Sequence, residues 1–186
     1  MAVVDQATSG GPSRARRTIV FVDIVDYSGL TRRLGDLDTV RVLSAFYEHA
    51  DSVVRRFDGS ILKQMGDLIL AVFADTANAI LFATEFQLSA TRGDGIFGLH
   101  GLKMRIGVNT GDVYTETRSY GEDIFGVAVN IAANITALAE PGQIVVSHSA
   151  AHAIPRDGKL TLKGIERHHD RGSGEGVEIS RLEVTV

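Results

Sequence analysis

Two aspartates stand where apolar strands give way to turns, and they constrain this chain more than any other feature. Asp23 closes the run Thr18-Ile-Val-Phe-Val-Asp-Ile-Val-Asp-Tyr-Ser28, and Asp67 sits inside Ile61-Leu-Lys-Gln-Met-Gly-Asp-Leu-Ile-Leu-Ala-Val-Phe73. The run Ile19 to Val22 reads as a buried strand, and an ionised carboxylate brought into such a setting is costly unless a cation or several donors hold it. Two such acids point to a divalent metal site.

With 186 residues, 44% of them hydrophobic, the chain suits one domain with a substantial core. The formal charge of -4 offers no basic surface for nucleic acid, and Arg14, Arg16 and Arg17 form too short a cluster to supply one. Cysteine is absent, which excludes disulfides and thiolate metal sites and fits a reducing, cytoplasmic setting. The apolar run Leu68 to Ala74 is far below the roughly 20 residues that span a bilayer, so no membrane insertion is expected. Residues 1–17 lack a signal-peptide core and are expected to be a flexible leader, with one catalytic-type domain over 18–186.

Along the chain, a first strand is expected over Thr18 to Val25. A helix follows, N-capped by Asp38, with Val40, Leu43, Phe46, Tyr47, Ala50, Val53, Val54 and Phe57 at helical spacing until Asp58-Gly59 stops it. Ser60 to Gln64 and Leu68 to Phe73 flank Met-Gly-Asp, which predicts a β-hairpin with Asp67 at its tip. A second helix is expected from Asp75 to Thr91, with Ala79, Phe82, Ala83 and Phe86 on one face, then a loop over Gly93 to Gly101 and a strand over Leu102 to Asn109. This order, βαββαβ, is the ferredoxin-like α+β arrangement: an antiparallel sheet with helices on one face. A C-terminal α/β extension follows: a polar arm (Thr115 to Glu122), a helix (Val127 to Ala139), a Pro141-Gly142 turn, a strand (Gln143 to Ser147), and short strands with a loose stretch over Arg171 to Gly176.

From about Thr18 to Val184 the chain resembles the class III nucleotidyl cyclase catalytic domain, of adenylate cyclase type. The resemblance rests on Phe-Val-Asp-Ile followed by Tyr27-Ser28, Lys-Gln-Met-Gly-Asp, Met-Arg-Ile-Gly-Val-Asn-Thr-Gly, Asp-Ile-Phe-Gly-Val-Ala-Val-Asn-Ile-Ala-Ala and Glu-Pro-Gly-Gln-Ile-Val-Val-Ser, in the family's order. It implies two divalent cations, Mg2+ or Mn2+, held by Asp23, Asp67 and the backbone carbonyl of Ile24, all hard oxygen ligands. With them, the ribose 3'-hydroxyl of ATP would attack the α-phosphorus in line and pyrophosphate would leave, giving cyclic AMP. Tyr27 and Ser28 are carried over with the motif as substrate-binding residues. Lys63 and Asp123 are carried over as the residues facing the purine edge. An ammonium only donates and a carboxylate only accepts, which matches N1 and the 6-amino group of adenine and leaves guanine mismatched at both points.

Lys63 and Asp67 lie four residues apart in one hairpin, awkward for one copy to grip both ends of a nucleotide. The family's head-to-tail pairing implies a homodimer, with Asp23 and Asp67 from one protomer meeting Lys63, Asp123 and Asn130 from the other. Asn130 is expected to orient the ribose. Four residues on, where active relatives carry a transition-state arginine, this chain has Asn134. Arg105 is one candidate to replace it, matching a phosphate-contacting arginine of some relatives, and Arg118 on the arm is another. Lys163 keeps only part of the family's terminal-phosphate segment. The alternative reading is a pseudo-cyclase, a nucleotide-binding or regulatory module of weak or no turnover. A regulatory domain upstream in the natural chain is compatible with either. His148 and His152, four apart without a third ligand at suitable spacing, are not expected to hold a metal, and His168-His169 reads as a solvated loop. Gly66 and Gly126 are expected to serve backbone geometry near the site.

Overall fold

The computed structural model describes residues 12–118, 121–155, 158–169 and 176–184. The first strand, β1 (Ser13–Ile24), carries the continuous apolar run and is buried on both faces, as a central strand should be. It pairs antiparallel with β3 (Leu68–Phe73) on one side and with β4 (Met104–Arg118) on the other. β2 (Gly59–Met65) pairs with β3, so the first four strands run in the order β2-β3-β1-β4, the ferredoxin-like core.

Beyond β4 the sheet continues through β6 (Gln143–Ser147), β8 (Gly176–Val184) and β7 (Leu160–His169), while β5 (Gly121–Phe125) pairs with the far half of β4. The β4–β6 pairing is parallel, so the whole sheet is mixed rather than antiparallel throughout.

Alternation along β1 divides the core in two. Val20, Val22 and Ile24 pack with α2 (Asp36–Arg56) and α3 (Thr76–Arg92), whose Phe46, Phe82 and Phe86 are fully buried. Ile19 and Phe21 face the opposite way, onto Val113, Ile124 of β5, and Ala128 and Ala132 of α5 (Val127–Ala137). The expectation of helices on one face therefore holds for the two helices of the βαββαβ core, α2 and α3, but not for the sheet as a whole. The apolar rows on both faces of β1 demand a second cover, and α5 supplies it.

Several local expectations are corrected. Residues 13–17 of the expected leader form the start of β1, paired with Gly111 to Thr115 of β4; residues 1–11 lie outside the described residues. A helix, α1 (Tyr27–Leu34), precedes α2, which starts after Gly35 rather than at an Asp38 cap; Asp38 instead lies in the first turn of α2, 2.8 Å from Arg41. The α2 face also excludes Val40, which is 57% exposed. The Gly93–Gly101 stretch contains the short α4 (Ile96–His100), which buries Phe97, and α6 (His148–Ala151) follows β6. No helix among the described residues is long and apolar enough to cross a membrane.

Candidate active site

Asp23 and Asp67 are brought together by two strand ends. The β1–β3 register sets Asp23 beside Leu68, and the Ile24 N–H donates to the Asp67 carbonyl at 3.2 Å, clasping the hairpin tip onto the end of β1. The tip is the two-residue turn Gly66–Asp67, with Gly66 at φ +60°, a left-handed conformation that glycine enters without penalty. The Ile24 side chain is fully inside the core, which leaves only its backbone to serve a ligand.

Burial pushes the Asp67 carboxyl above the usual carboxylate range, and the neighbouring Asp23 carboxylate pushes the same way, against the pull of Arg105 and of the residue's own backbone. An acid whose charge is disfavoured by burial and by a neighbouring carboxylate fits a divalent cation beside it. Among the described residues there is no group of three His, Cys, Asp or Glu side chains arranged for a metal. Asp23, Asp67 and the Ile24 carbonyl could supply a partial shell, the kind Mg2+ completes with water and phosphates.

Arg105 lies directly across from Asp23 in the β1–β4 register and binds one oxygen of that carboxylate through Nε, at 3.1 Å, and through its terminal nitrogen. The sequence shows both residues but not this pairing, because the register of strands 82 residues apart sets it.

A second polar cluster lies across the same sheet face, toward its edge. A bulge in β2 between Ile61 and Lys63 sets Lys63 against Leu70, and the Lys63 Nζ reaches Asp123 Oδ1 on β5 at 2.7 Å. Asp123 is buried, and its Oδ1 also accepts the Ile124 N–H at 2.9 Å. The structure thus joins Lys63 and Asp123, though sixty positions separate them.

The other candidates are arranged as follows. Tyr27 opens α1 and packs into the core, with Ser28 exposed beside it; the helix is capped by the Asp26 carboxylate, which accepts from Gly29 N at 3.1 Å. A Cβ at Gly29 would collide with that carboxylate, so the cap requires glycine. Asn130 and Asn134 lie exposed, one turn apart on α5, and Asn134 lines a cavity of about 380 Å³ with Ile131, His168 and Val177 rather than with either aspartate. The arm forms a β4–β5 hairpin; residues 119–120 and the side chain of Arg118 lie outside the described residues. Lys163 pairs with Glu183 at 2.8 Å. His148 and His152 meet with Nε2 atoms 3.2 Å apart; His168 and His169, expected in a loop, end β7 instead, paired with Val177 and Gly176 of β8, with His168 3.2 Å from Glu166; and most of Arg171 to Gly176 lies outside the described residues.

One residue escaped the sequence reading. Tyr47, expected as one more apolar contact of α2, donates its hydroxyl to the carbonyl of Gly66, next to Asp67. A phenol on an otherwise apolar helical stripe is the signal that could have shown it.

The family described as adenylate and guanylate cyclase catalytic domain matches residues 12–175. The chain is similar to an adenylate cyclase of Glutamicibacter nicotianae, 28% identical over 89% of this chain and 39% of that protein. It is also similar to a putative adenylate cyclase 3 of Rhizobium meliloti, 31% identical over 83% of this chain and 27% of that one. It thus spans well under half the length of these relatives. Among solved structures it resembles the guanylyl cyclase Cya2, with TM-score 0.84, 25% identity, and coverage of 95% of this chain and 96% of that one. The adenylyl cyclase CyaB from P. aeruginosa shares the fold, with TM-score 0.83, 19% identity, and coverage of 94% and 97%.

Proposed function

The chain belongs to the adenylate and guanylate cyclase catalytic domain family, and from that premise we propose that it converts ATP to 3',5'-cyclic AMP and pyrophosphate at the interface of a head-to-tail homodimer. Asp23, Asp67 and the Ile24 carbonyl would hold two divalent cations, Mg2+ or Mn2+, which when bound supply activation of the ribose 3'-hydroxyl and neutralisation of the triphosphate. The chain's own residues do the rest. Lys63 donates to adenine N1 and Asp123 accepts from the 6-amino group; guanine would leave two charged groups mispaired in a partly buried site. Asn130 orients the ribose from the second copy. Arg105, poised beside Asp23, is within reach of phosphate charge arriving at the acids.

The observation that carries this reading is the closeness of Asp23 and Asp67, two carboxylates at a clasped strand end where burial and the Asp23 carboxylate oppose the ionisation of Asp67. The dimer is supported by an exposed apolar face beside the polar cluster. Met65, Tyr114, Phe125 and Val127 are each at least two-fifths exposed near Lys63 and Asp123 or on the adjoining start of α5, which gives a second copy an apolar face to cover.

Purified protein with Mn2+ and either ATP or GTP, assayed for cyclic nucleotide, tests the proposal. Cyclic AMP from ATP is expected, lost in Asp23→Ala and Asp67→Ala variants that keep their circular dichroism. A preference for GTP, or activity that survives loss of both acids, overturns it. A second reading is favoured by Asn134 alone: with no arginine there, the domain would bind nucleotide as a regulatory module with weak or absent turnover. Nucleotide binding without product in the same assay would establish it.

A further inference from the structure

Asp67 carries its carboxylate on a two-residue turn, the kind of segment that ordinarily has freedom to rock. Here the peptide groups on both sides of its Cα are anchored from outside the hairpin. The carbonyl of the Asp67–Leu68 peptide accepts the Ile24 N–H from β1 at 3.2 Å. The carbonyl of the Gly66–Asp67 peptide accepts the Tyr47 hydroxyl from α2. A planar peptide held at its carbonyl has little freedom to rotate, so the two anchors together restrain both φ and ψ of Asp67.

The anchor on the Tyr47 side is stiff. Its ring lies 5.9 Å from that of Phe46, centroid to centroid, and α2 is fixed to the sheet by the fully buried Phe46 and Ala50. There is also a force for it to resist. Arg105, bound to Asp23, offsets part of the repulsion between the two carboxylates, and what remains favours an unrestrained tip swinging Asp67 away from Asp23.

We propose that Tyr47 is a positioning residue for the metal-binding pair: its hydroxyl holds the Gly66–Asp67 peptide so that the Asp67 carboxylate stays aimed at Asp23. This inference rests on the reading of Asp23 and Asp67 as cation ligands. It adds that α2, on the opposite face of the sheet from the acids, sets their geometry through one hydrogen bond.

Tyr47→Phe removes the hydroxyl and keeps the ring. Gly66 is exposed, so water replaces the lost bond and the global thermal midpoint stays at the parent value. Binding of Mn2+ alone and of Mn2+ with ATP, followed by electron paramagnetic resonance of the free ion, is expected to weaken roughly three- to tenfold, the scale of one hydrogen bond. Amide hydrogen exchange at Asp67 and Leu68 is expected to quicken in metal-free protein. Parent-like Mn2+ binding in Tyr47→Phe, with binding lost in Asp67→Ala, overturns the positioning role and leaves the proposed function standing. Weakened binding in step with a fall in thermal midpoint overturns it too, since the hydroxyl would then be merely structural. Equal Mn2+ binding by the parent and Asp67→Ala overturns the metal reading, and the inference with it.

Discussion

Lys63 and Asp123 hold each other across the β2–β5 gap, Nζ 2.7 Å from Oδ1, with the aspartate 5% exposed and the lysine side chain 36% exposed. Each neutralises the other in this structure, and in the proposed function a purine edge would replace part of that pairing. The same couple therefore bears on the fold and on base choice.

Lys63→Glu alone sets a second carboxylate against a buried one, and a large fall in thermal midpoint is expected. Adding Asp123→Cys removes the repulsion. The double variant is expected to regain the parent midpoint to within a few degrees and to shift preference toward GTP. Strict ATP use by the folded double variant would show that these two side chains do not read the base.

Asn134 sits exposed on α5, one turn from Asn130. An arginine there costs little in packing and, in the proposed dimer, would supply a donor for charge developing on the α-phosphate. Asn134→Arg is expected to raise the turnover number by about 10² in the full case, the scale of one preorganised donor. Steady-state kinetics at saturating Mn2+ and ATP decide it, and unchanged turnover in a folded variant refutes the role.

The proposed division of the site, with the acids on one protomer and Asn130 on the other, predicts complementation. Asp67→Ala and Asn130→Ala are each expected to be inactive. When mixed equally they should recover about a quarter of the parent rate, because half the dimers are then mixed and each mixed dimer has one intact site of two. No recovery on mixing, with exchange of protomers verified, would place the whole site in one chain.

His49 on α2 lies between Phe86 and Phe97, ring centroids 5.3 and 5.1 Å away, with its Nε2 buried and without a hydrogen-bond partner. Burial pushes its imidazole below the ordinary histidine range, and Arg56 adds to the fall against the pull of Asp94 and Glu85. The folded state thus binds this proton later than the unfolded chain does. The contribution is fully present above the unfolded value near 6.5 and is lost as pH falls below it. His49→Phe is expected to flatten the decline in thermal midpoint between pH 7 and pH 5. An identical decline in parent and variant would assign it to other groups.

Much of the site was legible as residue types at spacing. The acids at strand ends, the hairpin with Asp67 at its tip, and the helical stripe of Phe82, Ala83 and Phe86 all follow from hydrophobic period and turn chemistry, which are local properties. The helix α1 was not legible, because it is eight residues long, so that its stripe of Tyr27, Leu30 and Leu34 is too brief to stand out, and it starts from an aspartate in a left-handed conformation. The cover of the second sheet face by α5 was missed because an apolar run buried on both faces looks the same in sequence as one buried on a single face.

The chain's order of residues by itself determined which groups could hold a cation or read a purine, since donor and acceptor chemistry belongs to the side chains. Only the tertiary structure decided which of them meet: Arg105 with Asp23, Lys63 with Asp123, Tyr47 with Gly66. Strand register and helix packing bring together positions 19 to 82 residues apart, and no local pattern encodes that distance.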